Sequence, residues 1–414
     1  MKLKKKINLA DVYFIYADNI LVKNMDYYNF KALINFYSLL YDNVIIPDTF
    51  FINNEFLVKF MKEDRGLEYV EKGIIVPSVR SGISSLGDIY KRFEANGTLS
   101  IDKARSKELL GYLEALNLDS AITWNLTDVG EYFENQVLCN LEGLNILEED
   151  KKRWADKLFN VNKEGALTRQ IIRDTTKITD FKETTSFETI NSYVDVIYNF
   201  NLPSFLGTSA AYPENLVKNG VTPEKVYFNS NVSRGDLTKI CKKEYLNTWF
   251  FNTGVLANLN LEQIVHIRGL NEYKKFVKGL EKPSDENNMC KLQEGFVDYL
   301  FTFDAELPKI ISLENKKLIE KTKKKLSIMS LGQDSMAGDG AGFAIDLALD
   351  GIASFIGAKL LGKTFKILAK PILSSTERTI KMLELEGKGK IKEIETRDNI
   401  YDAIKQFSLN SIEQ

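Results

Sequence analysis

The residues best placed to do chemistry in this 414-residue chain are acids that stand where short apolar runs end. Asp18 follows Val12-Tyr-Phe-Ile-Tyr-Ala17, Asp48 follows Asn43-Val-Ile-Ile-Pro47, and Glu55 comes one or two helical turns after Asp48. Open parallel sheets carry their sites just beyond the carboxyl ends of their strands. If both runs are parallel strands, the three acids share one edge. Carboxylates clustered in this way bind Mg²⁺ or Mn²⁺ and support phosphodiester cleavage. The competing reading is purely structural: Asp48 with Thr49 suits a helix N-cap, and Asp18 with Asn19 suits a turn. The next strand-like run ends in Val79-Arg80, so no third strand-end acid follows.

The carboxylates matter because other chemistry is scarce. His266 is the one histidine, which excludes paired-histidine metal sites, and it sits in Leu261-Glu-Gln-Ile-Val-His-Ile-Arg268, a stretch of helical apolar spacing that reads as helix surface. No Gly-x-Ser-x-Gly elbow supplies a nucleophile for it. The three cysteines, Cys139, Cys241 and Cys290, have no metal-ligand spacing and point to a reducing compartment, with the cytoplasm as the expected location. Over residues 1–80 the strand-end acids resemble the acidic site of PIN-type ribonucleases, with Ala17-Asp18-Asn19 where that family opens on Asp-Thr-Asn. That resemblance implies a divalent-metal nuclease. Without it the chain carries no cofactor signature.

The elements that must position these acids form a small N-terminal α/β unit, residues 1–82. Asp26 to Tyr41 has helical apolar spacing through Phe30, Leu33, Ile34, Tyr37 and Leu40. Asn43-Val-Ile-Ile-Pro-Asp48 and Gly73-Ile-Ile-Val-Pro-Ser78 are twin apolar runs ended by proline, and Asn54 to Glu71 between them is helix-forming, so a parallel crossover is expected. Residues 83–202 read as a helical array, with amphipathic stretches at Leu86–Glu94, Ile101–Leu116, Ser120–Leu141, Glu148–Phe159, Leu167–Lys177 and Phe187–Phe200. Residues 203–235, with Pro203, Pro213 and Pro223, read as an irregular junction, and 236–330 as helical again. Asn260 and Gln263 open the helix Leu261–Leu280 with a capping-box spacing. The expected fold class is therefore mainly α, with short parallel strands at the N-terminus.

Residues 331–414 hold the most apolar stretch, Ala341 to Pro371. Asp346, Asp350 and Lys359 interrupt it, which disfavours a single membrane span. Asp346 and Asp350 share one helical face while Lys359, Lys363, Lys366 and Lys370 share another, so two helices bending at Gly357 or Gly362 are expected. This hairpin presents Phe343, Leu347, Ile352, Phe355 and Ile356 as an apolar side and the four lysines as a basic one. It suits core packing, self-association, a protein partner or an anionic membrane surface. The basic segment Lys321–Lys325 lacks interleaved aromatic residues, and the net charge of -2 supplies no global field, so both argue against nucleic acid.

Three functions follow as expectations. The leading one is a non-enzymatic binding or regulatory protein that self-associates or holds a protein partner through the hairpin. The second is a membrane-active effector of toxin or defence type that uses the basic helix 359–370. The third is a metal-dependent nuclease at Asp18, Asp48 and Glu55. The lysine-, asparagine- and isoleucine-heavy composition suggests a bacterial or phage source.

Overall fold

The computed structural model describes residues 7–15, 26–83, 85–95, 118–162, 167–212, 218–221 and 253–281, most of 292–311, and positions 113, 114 and 116. Asp18, the segment 237–248, Lys321–Lys325, the apolar hairpin 341–371 and the C-terminal tail lie outside the described residues.

Five short strands make one fully parallel sheet: β1 (Asp11–Phe14), β2 (Asn43–Pro47), β3 (Ile75–Arg80), β4 (Ile122–Trp124) and β5 (Ser209–Ala211), in the order β4-β3-β2-β1-β5. Tyr13 pairs with Ile45, Ile45 with Val76, and Arg80 with Trp124. The chain steps outward from β1 to β4, then returns to the far side of β1 with β5. Right-handed crossovers require the helices to change face when the chain changes direction. They do so here. Val12, Phe14, Val44 and Ile46 belong to one core, with the helices before β4, and Tyr13, Ile15 and Ile45 belong to a second, with the helices between β4 and β5. Buried on both faces, these strands read as continuous apolar runs rather than alternating ones.

On the first face, α1 (Tyr27–Leu40) starts where expected, with Asp26 Oδ1 accepting from Asn29 N at 2.8 Å. It is buried almost all round because α10 (Thr253–Asn258), α11 (Leu261–Arg268) and α12 (Asn271–Leu280) cover its outer side. The C-terminal carbonyls of a helix have no partners of their own. Here side chains from far along the chain supply them: Arg268 donates to Ser38 O at 2.6 Å and Tyr41 O at 2.8 Å, and Tyr299 Oη to Leu39 O at 2.8 Å. The segment between β2 and β3 divides into α2 (Asp48–Asn53), α3 (Glu55–Glu63) and α4 (Gly66–Glu71). The turn at Arg65 is left-handed, φ 60°, and a Cβ on Gly66 would lie 2.7 Å from Met61 Cα, so glycine is required there. A fifth helix, α5 (Leu86–Ala95), follows β3.

The second face carries α6 (Leu126–Cys139), α7 (Glu148–Asn162), α8 (Arg169–Thr175) and α9 (Thr184–Leu206). Three sequence expectations are corrected. Ser120–Leu141 is not wholly helical, because Ile122-Thr-Trp124 forms β4; three residues are too few to show a period against the helix that follows. The helix Leu261–Leu280 is broken at Gly269–Leu270 into α11 and α12, although the capping box stands as expected, with Gln263 N to Asn260 Oδ1 at 3.0 Å. Pro203 does not open an irregular segment, for α9 runs through it to Gly207, a left-handed C-terminal glycine at φ 69°, and β5 follows at once. A proline in the last turn forfeits one hydrogen bond, while its own carbonyl still accepts from Thr208 N at 3.0 Å. The fold is mainly helical around a small parallel sheet. Among the described residues, no helix is long and apolar enough to cross a membrane.

Candidate functional site

The carboxyl ends of β1 to β4 open into a cavity of about 310 Å³ between the sheet edge and the helices α6, α8 and α9. Its floor comes from residues that end strands: Ile15 after β1, Asp48 after β2, Arg80 at the end of β3 and Trp124 at the end of β4.

Asp48 is the one strand-end acid among the described residues that reaches this place. It is 1% exposed. Proline ends β2 at 47, and the chain turns directly into α2, so the carboxylate folds back under the sheet edge. Oδ1 accepts from Thr49 N at 2.7 Å and Oδ2 from Arg80 N at 3.2 Å, and Arg80 Nε stands 3.6 Å from Oδ2. Asp48 does not serve as the N-cap that its sequence suggests, because Pro47 holds that position. Burial raises its pKa, and the Arg80 charge and the two backbone amides oppose that rise. Burial together with the neighbouring Asp48 also holds the Tyr13 phenol protonated.

Arg80 is 32% exposed and lies over the Trp124 ring, 5.8 Å from its centroid. Register explains the meeting, since Arg80 and Trp124 are partners on neighbouring strands. On the opposite wall, Arg169 lies over the Tyr198 ring at 4.5 Å. It donates through Nε to Asp195 Oδ1 at 2.9 Å, and Arg173 donates to the same carboxylate at 2.6 and 2.9 Å. Phe133 meets Tyr198 edge-on at 6.2 Å. The wall is held together by Asn201 Nδ2 to Val129 O at 2.9 Å and Tyr193 Oη to Val137 O at 2.8 Å, both joining α9 to α6.

Glu55 is exposed at the start of α3 and does not line the cavity. Among the described residues no three carboxylate, imidazole or thiol groups are placed to hold a metal. Among the described residues the charged group beside Asp48 is the Arg80 guanidinium rather than a second carboxylate, and Asp18 lies outside them. His266 is exposed on α11, remote in sequence from every lining residue.

Sequence reasoning reached Asp48 and noted Arg80 as the end of a strand, but missed Trp124, Arg169 and Tyr198. The signal for Trp124 was a three-residue strand, and Arg169 and Tyr198 are brought together only by the packing of α8 on α9. No family model, curated protein or solved structure matches the chain.

Proposed function

We propose that the chain is a ligand-binding protein whose site is the cavity at the carboxyl edge of the parallel sheet. The observation that carries this reading is the pairing of buried Asp48 with Arg80 at the floor of a concave, largely apolar pocket. A buried ionic pair adds little to stability compared with apolar packing. Its placement at a sheet edge, where parallel α/β folds bind their ligands, is what a recognition site needs. The described lining offers aromatic and aliphatic side chains, two guanidiniums, one carboxylate and the hydroxyls of Tyr13, Thr49, Thr168 and Tyr198, groups that can recognise a ligand. Its volume is at the lower end of the roughly 300–1,000 Å³ of small-molecule pockets, so the ligand is small.

Gly130 gives a clean test. It lies on α6 at the cavity rim, is exposed, and a Cβ there would meet nothing within 4 Å. Gly130→Trp should therefore crowd the mouth from a Cβ that itself meets no atom. A thermal-shift screen of the full chain against a chemically diverse metabolite library should give compounds that raise Tm in the natural sequence and not in Gly130→Trp. No stabilising compound, or equal shifts in both proteins, would overturn the reading.

A further inference from the structure

We infer that the cavity takes a flat aromatic ligand carrying an anionic group, with the anion at Arg169 and the ring among the aromatic side chains of the lining. The inference rests on the cavity being the binding site and names the chemistry of its ligand.

The arginines of the wall favour an anion. Asp48 balances Arg80 at the floor. On the opposite side Arg169 and Arg173 share the carboxylate of Asp195, and the Glu134 carboxylate accepts from Leu167 N at 3.3 Å nearby. Of these two arginines only Arg169 lines the cavity, and its side chain is 16% exposed. A ligand that fills the space strips the remaining water from that guanidinium. A neutral ligand without acceptors leaves the Arg169 N–H groups that do not face Asp195 desolvated and unmatched, which is costly, whereas an anion replaces the lost water with charge-assisted hydrogen bonds. A cationic ligand has no seat, because the Asp48 oxygens already accept from Thr49 N and Arg80 N and face the Arg80 charge.

Geometry prepares Arg169 for this role. The Tyr198 ring beneath and Asp195 at its Nε edge fix the plane of the guanidinium, so little rotamer entropy remains to be lost on binding. The same rings select a flat partner. Tyr13, Phe50, Trp124, Phe133 and Tyr198 surround the space, and aromatic faces stack on planar ligands.

Calorimetric titration of the full chain tests this with probes that separate ring from charge. Adenosine 5′-monophosphate and indole-3-acetate carry both features, adenosine and indole only the ring, and ribose 5-phosphate and acetate only the anion. The expected result is that the phosphate or the carboxylate member of the first pair binds, and that its two truncated counterparts bind about tenfold or more weakly. Arg169→Gln should weaken that binding by about ten- to a hundredfold, the worth of a charge-assisted hydrogen bond. Failure of both charged probes to bind, equal binding of a neutral counterpart, or an Arg169→Gln variant that folds and binds as before would overturn the inference. If instead Gly130→Trp bound the charged probes as well as the natural sequence does, the cavity itself would be the wrong place.

Discussion

Arg80 meets Asp48 twice, through its backbone N–H at 3.2 Å and its side-chain Nε at 3.6 Å from the same carboxylate oxygen. The double contact ties the carboxyl end of β3 to the carboxyl end of β2 just where both strands leave the sheet. It also fixes the guanidinium beside Trp124 before any ligand arrives. Asp48 is thus both a clamp on the sheet edge and the charge that orients Arg80.

The clamp has a pH signature. Burial raises the Asp48 pKa above its unfolded value of about 3.9, so the native state binds this proton more tightly than the unfolded state. Its contribution to stability is then fully present below the unfolded value and is lost as pH rises through the raised native value. Asp48→Asn mimics the protonated acid and removes this dependence. Denaturant melts across the acid range should show Asn gaining on Asp as pH rises through that window. Asp48→Ala leaves the Thr49 and Arg80 amides without their acceptor and should cost about 1–3 kcal/mol for each buried donor that water does not reach.

The C-terminal end of α1 depends on side chains more than 200 residues away. Arg268 holds Ser38 O and Tyr41 O, and also Asp42 O at 2.6 Å, while lying 5.1 Å from the Tyr273 ring centroid. Arg268→Ala should therefore lower stability by about 2–4 kcal/mol, because half-buried carbonyls lose a charged donor. Chemical denaturation of this variant beside Arg268→Lys, which keeps the charge and loses the fork, separates geometry from charge. A loss well under 1 kcal/mol would show that water replaces the guanidinium.

At Gly130 the expectation runs the other way. Glycine inside an exposed helix position costs roughly 0.5–1 kcal/mol relative to alanine, and here a methyl group meets open space. Gly130→Ala should raise Tm by about 1 °C and still admit ligand, whereas Gly130→Trp should fold and exclude it. A Gly130→Ala protein that melts lower than the natural sequence would contradict the open rim.

On the second face, the α7–α9 contact is held by Asp150, whose oxygens accept from Lys182 N at 2.7 Å and Glu183 N at 3.2 Å just before α9 begins. Orphan amides at a helix entry need such an acceptor, and its loss costs about 0.5–2 kcal/mol. Asp150→Ala should show that loss in denaturant melts, together with faster hydrogen exchange at residues 182–186. Tyr198 and Asn201 ride on the same helix, so ligand affinity should fall with it.

What could be read in the sequence was local. Phe30, Leu33, Ile34, Tyr37 and Leu40 marked α1, the proline-ended run marked β2, the run from Ile74 marked β3 although that strand continues through Pro77 to Arg80, and Asn260 with Gln263 marked the start of α11, because period and cap are written within a few residues. The strands β4 and β5 escaped notice: Ile122-Thr-Trp124 and Ser209-Ala-Ala211 are three residues each, and only pairing with distant partners makes them strands. The site was half visible for the same reason. Asp48 and Arg80 end recognisable strands, but nothing near Arg169 in sequence announces Tyr198, which meets it through helix packing. Asp48 is partnered by Arg80 because strand register makes the ends of β2 and β3 neighbours, while Asp18 lies outside the described residues.

The most direct measurement is hydrogen–deuterium exchange of the full chain with and without the compound that stabilises it most in the screen. Binding in the cavity should protect four stretches far apart in sequence and adjacent in space: 47–50, 80–81, 124–133 and 167–202. Protection confined to one of these stretches, or centred on the face formed by α10, α11 and α12, would contradict the assignment of the sheet edge as the binding site.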